Sequence, residues 1–120
     1  MGPKSVEPDA SEAKPAVSEL APAEVIAMRE RDEDVVYLDV REQQEWNLFR
    51  IPGAVHLPLD AVGQRVGDVV PRDRRVVVYC ARGGRSIKAA DVMQSMGYSS
   101  VATLSGGIMG WVNAGGELEE

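Results

Sequence analysis

The run Val76-Val77-Val78-Tyr79 constrains this chain more than any other segment. Consecutive apolar, mostly β-branched residues do not suit a strand with one wet face. They suit a strand covered on both sides, at the centre of a parallel sheet. The neighbouring pattern agrees. Apolar stretches at Val35–Val40, Ala54–Leu57 and Val101–Leu104 read as strands, and Ser18–Ala21 as a short edge strand. Between them lie helix-like segments: residues 22–28 with proline in the first turn, Glu42–Phe49, one or two turns over Asp60–Val66, and Ile87–Met96. In the last of these Ala89, Val92, Met93 and Met96 fall at helical spacing, and Gly97 is placed to end it. Gly107–Val112 reads as a closing helix. Short strands alternating with helices predict an α/β fold, with helices on both faces of the sheet.

The chain's 120 residues suffice for one domain with its own core. Residues 1–17, rich in Pro, Ala, Ser and Glu, read as a disordered tail or linker that could join the domain to something larger. Residues 18–115 form the expected domain, and 116–120 a flexible C-terminal tail. A single cysteine rules out an internal disulfide, a zinc ribbon or a CxxC redox pair. A net charge of −6 argues against general nucleic-acid binding. No apolar stretch approaches bilayer-spanning length, and no signal-peptide core is present, so a cytoplasm-like compartment is expected.

The one cysteine, Cys80, ends the central strand and opens Cys80-Ala81-Arg82-Gly83-Gly84-Arg85-Ser86, which leads into a helix. Backbone N–H groups converge at such a strand–loop–helix junction, and the helix dipole adds partial positive charge. A thiol there ionises more readily than a free cysteine, and the thiolate is the reactive form. A lone cysteine with apolar neighbours is ordinarily an inert core residue. The loop reverses that reading, because Gly83-Gly84 lets the backbone approach an anion and Arg82 and Arg85 bring two guanidinium groups. The segment reads as a nucleophile in an anion cradle.

Cysteine-dependent phosphatases place five residues between cysteine and arginine. Here four intervene between Cys80 and Arg85, and the sixth position after Cys80 is Ser86. The shorter loop should enclose something smaller than phosphate, such as one extra sulfur on the cysteine.

These residues resemble the active-site loop of single-domain rhodanese-like sulfurtransferases. Leu38-Asp39-Val40-Arg41-Glu42, Ile51-Pro52-Gly53-Ala54 and Gly106-Gly107-Ile108-Met109-Gly110-Trp111 resemble that family's other signature segments, in order, across roughly residues 18 to 114. The resemblance implies a three-layer fold with about five mainly parallel strands. It also implies a persulfide on Cys80, with Ala81, Arg82, Gly83, Gly84, Arg85 and Ser86 binding substrate, and with neither metal nor cofactor. Sulfane sulfur would pass from thiosulfate or a persulfide to cyanide or a thiol. Thioredoxin or a sulfur-carrier protein would be further partners. Two alternatives stand beside this: a phosphatase or arsenate reductase on the same scaffold, and a non-catalytic binding or regulatory module.

The chain departs from the family pattern at Phe49-Arg50, where relatives often carry Gly-His, a change expected to alter packing and surface. An Arg-Ile-Pro-Gly-Ala segment resembles rhodanese domains attached to E1-like adenylyltransferases. Ala81-Arg82 stands where many relatives have Arg-Ser or Gln-Ser, leaving donor preference open. Asp39, with Glu42 three residues on, fits a helix cap, whereas Arg41 has no assigned role. His56 has no second histidine or cysteine nearby to share a metal. Trp46 and Trp111 read as packing residues, and Lys88 as a surface lysine close to the loop.

Overall fold

The computed structural model describes residues 17–120, so the tail expected over residues 1–17 lies outside the described residues except for Val17. Five strands alternate with five helices: β1 Ser18–Leu20, α1 Pro22–Glu30, β2 Val36–Asp39, α2 Gln43–Leu48, β3 Val55–His56, α3 Leu59–Val69, β4 Val76–Tyr79, α4 Gly84–Ser95, β5 Val101–Leu104 and α5 Gly107–Asn113. The sheet order is β1-β5-β4-β2-β3 and every strand pair is parallel. This is the three-layer α/β arrangement expected from the sequence, with β1 on an edge as read.

β4 sits at the centre, all four residues buried. Side chains alternate across a strand, so β4 supplies both cores. Val76, Val78 and Cys80 join Leu38, Val62, Val66, Ala89, Ala90 and Met93 under α3 and α4. Val77 and Tyr79 join Val25, Met28, Ile51, Ile108 and Trp111 under α1 and α5.

The largest departures from the expected helix boundaries are in α3 and α4. α3 runs through Val69 rather than ending near Val66, its Gly63 and Gly67 having masked the pattern. α4 starts at Gly84, not Ile87, so Arg85 and Ser86 already lie in its first turn. Gly83, with φ 123°, makes the bend into the helix, a conformation that favours glycine.

Asp39 is not the cap of α2. Both its carboxylate oxygens are held by Arg41: Oδ1 accepts from the Arg41 backbone N–H at 2.9 Å, and Oδ2 from Nη2 at 2.8 Å. Both side chains are buried, and Arg41 also donates to the Phe49 carbonyl. The role at the start of α2 falls instead to Glu45, whose Oε1 accepts from the Glu42 N–H at 2.8 Å.

Phe49-Arg50 serves packing and surface contacts. Arg50 lies over the Trp46 ring at 4.8 Å and pairs antiparallel with Glu119. Residues 116–120, read from sequence as a flexible tail, run back against the domain. Arg50 N–H donates to the Glu119 carbonyl at 2.9 Å and Trp111 Nε1 donates to the Glu117 carbonyl at 2.7 Å. His56 stacks on Trp46 and its Nε2 lies 2.8 Å from the Arg41 carbonyl oxygen.

Removing one partner of a buried ion pair strands the other charge. Arg41→Ala is expected to lower unfolding free energy by about 3–5 kcal/mol, read from urea denaturation. A loss under 1 kcal/mol would contradict the buried-pair account.

Candidate active site

Cys80 leaves the carboxyl end of β4, where open parallel sheets place their ligands. One side of the residue packs into the apolar core beneath α3 and α4. The other faces the loop, whose backbone turns inward. The Gly83 N–H donates to Cys80 Sγ at 3.0 Å, and Ser86 Oγ stands 3.7 Å from the sulfur while donating to the Gly83 carbonyl at 3.0 Å.

Two opposing influences act on the thiol. Burial raises its pKa. Hydrogen bonds from the Ser86, Gly83 and Arg82 N–H groups, with the Ser86 hydroxyl beside the sulfur, favour the thiolate and outweigh burial, so the net shift is downward. The twelve-residue helix α4 begins at this point and adds the field of its N-terminus. Cys80 is 1% exposed, so only a slender group reaches the sulfur. Clefts lie elsewhere: one of about 460 Å³ beside Arg29 and Trp111, another of about 340 Å³ between Leu20, Met28 and Arg75, and neither includes any of residues 80–86.

The seven loop residues do not all face the sulfur. Arg82 is exposed and has no ion-pair partner among the described residues. Arg85 points instead to α2, where it forms a bidentate pair with Glu45: Nη1–Oε1 2.7 Å and Nη2–Oε2 3.0 Å. The Arg85 guanidinium holds the Glu45 carboxyl down at about 2, although desolvation opposes it. Of the two guanidinium groups expected to meet an anion, Arg85 is therefore engaged by Glu45, while Arg82 is exposed. Lys88 is exposed in the second turn of α4.

Sequence reasoning missed two residues here. Glu45 is 40 positions from Arg85, and no local pattern joins them. Gly107 is the other. The Ile108 and Met109 N–H groups donate to the Cys80 and Ala81 carbonyls at 2.8 and 3.1 Å, clamping the loop's start against α5. A Cβ on Gly107 would lie 2.4 Å from the Ala81 carbonyl oxygen, and φ is +63°. Gly106-Gly107 was visible as a signature, but its contact with residue 81 was not.

The rhodanese-like domain family matches residues 21–114, and the chain belongs to it. A sulfurtransferase of Allochromatium vinosum is 39% identical over 83 residues, covering 69% of this chain and 77% of that protein. The probable adenylyltransferase/sulfurtransferase MoeZ of Mycobacterium tuberculosis is 32% identical over 95 residues. That match covers 78% of this chain but 24% of the relative. Among solved structures, a thiosulfate sulfurtransferase from Pseudomonas aeruginosa superposes with a TM-score of 0.77 at 33% identity, over 87% of this chain and 20% of that one.

Two outcomes are expected. The pH profile of Cys80 alkylation should have its midpoint below that of the unfolded chain, and Ser86→Ala should move it back upward. Because the folded pKa is the lower one, this ionisation contributes stability above the unfolded pKa. That contribution is lost as pH falls through the folded value. Gly107→Ala should destabilise the fold by about 1–3 kcal/mol from backbone strain, plus the overlap with Ala81, and should slow alkylation. Wild-type stability and reactivity in Gly107→Ala would refute the clamp.

Proposed function

We propose that this domain is a sulfurtransferase that carries sulfane sulfur as a persulfide on Cys80. The observation that carries the reading is the Gly83 N–H donating to the Cys80 sulfur at 3.0 Å at the start of α4, where the loop's N–H groups together favour the thiolate. Such donors stabilise an anion at the thiolate, and equally at a terminal persulfide sulfur in the same cradle. Thiosulfate is the proposed donor, supported by the likeness to the Pseudomonas aeruginosa enzyme.

In the first half-reaction the Cys80 thiolate attacks the sulfane sulfur of thiosulfate. A new S–S bond forms, the donor's S–S bond breaks, and sulfite leaves with the electron pair. In the second, cyanide or a thiolate attacks the terminal persulfide sulfur. Thiocyanate or a new persulfide forms, and the Cys80 thiolate is released. With one cysteine among these 120 residues, the persulfide has no second thiol within the domain to resolve it, so the acceptor lies outside the domain. Likeness to the adenylyltransferase/sulfurtransferase MoeZ supports a sulfur-carrier protein among the acceptors. Pairing of Arg85 with Glu45 speaks against the phosphatase alternative, where that arginine would hold the phosphate.

The test is direct. After incubation with thiosulfate, non-reducing mass spectrometry of the Cys80 peptide should show one added sulfur, discharged by cyanide as thiocyanate. Cys80→Ser should lose all transfer. An unmodified peptide, or transfer surviving in Cys80→Ser, would sink the reading.

A further inference from the structure

The bidentate pair between Arg85 and Glu45 is a long-range contact made at the loop. Arg85 lies in the first turn of α4, where the helix dipole disfavours a cation. It also stands five residues after Cys80, at the end of the loop that begins with that thiol. An unpaired guanidinium there would draw anions to the thiol. Glu45 stops this. Its carboxylate takes both guanidinium nitrogens at 2.7 and 3.0 Å, and the two side chains are still about one-third exposed, so the pair sits at the rim rather than in the core. Glu45 is itself fixed in place, because Oε1 also accepts the Glu42 N–H at the start of α2.

We infer that Glu45 is a specificity-determining residue: by holding Arg85 in a bidentate pair it sets how strongly the Cys80 loop favours an anionic donor over a neutral one. Arg82 is then the one loop guanidinium left to meet the donor's charge. Breaking the pair adds a second, and selectivity shifts toward anions. Glu45 touches neither donor nor sulfur; it acts through Arg85.

This rests on Cys80 being the sulfur-accepting thiol, but the experiment does not depend on transfer activity. Native protein is alkylated at Cys80 with neutral iodoacetamide and with anionic iodoacetate, and the ratio of the two rates is taken. Both reactions are displacement of iodide by the thiolate, so changes in thiolate population cancel in the ratio, leaving the charge preference of the site. Glu45→Gln suits the purpose because glutamine's carbonyl oxygen still accepts the Glu42 N–H. It should raise the iodoacetate-to-iodoacetamide ratio about threefold to tenfold at low ionic strength, shrinking as salt is added. On an Arg85→Gln background the same change should move the ratio less than twofold. Arg85→Gln alone leaves the Glu45 carboxylate unpaired and should lower the ratio below wild type, a reading available even if Glu45→Gln does not fold.

If both rates fall together in Glu45→Gln with the ratio unchanged, Glu45 is merely structural and the inference is overturned. It is overturned equally if Arg85→Gln leaves the ratio unaltered, or if the shift persists on the Arg85→Gln background. Failure to form a persulfide with thiosulfate, alongside the expected ratios, would count against the sulfurtransferase reading and not against this one.

Discussion

Burial of β4 on both faces is the constraint from which the rest of this structure follows. A four-residue apolar strand can satisfy its side chains only between two helical layers, and its backbone only between two neighbouring strands. β2 and β5 flank it in parallel register, which obliges helical crossovers on either side. The carboxyl end of β4 then emerges between α4 and α5. Cys80 is held there with apolar atoms on one side and inward-turned N–H groups on the other.

That position joins stability to reactivity. The same residue belongs to the apolar cluster and to the loop, so burial raises the thiol pKa while the loop's hydrogen bonds lower it further than burial raises it. Rigidity of the loop comes from outside itself. α5 grips the Cys80 and Ala81 carbonyls, and α2 grips Arg85 through Glu45. Neither clamp lies on the strand that ends in Cys80, so the site is an assembly of three helices around one strand end.

Much of this was legible from residues alone. All five strands and five helices stand within a few positions of where the apolar pattern places them, because period-2 and period-3.6 burial leaves a local trace. Departures have local causes too. The glycines of α3 weaken its helical signature, and Gly83-Gly84 hides the start of α4. Asp39 illustrates the opposite case: its spacing to Glu42 fits a cap, yet the Arg41 guanidinium two residues away competes for it in a buried setting and wins.

The chemical character of the site was written in consecutive residues. A thiol at a strand end, two glycines and the onset of a helix read as an anion cradle from consecutive residues, since those features depend on backbone geometry over seven positions. Charge presentation was not so written. Whether Arg85 faces the sulfur or turns away depends on Glu45, 40 residues distant, and whether position 107 tolerates a side chain depends on the Ala81 carbonyl. Contacts between segments remote in the chain leave no periodic trace, because they arise only when the folded sheet brings α2, α4 and α5 to the same strand end.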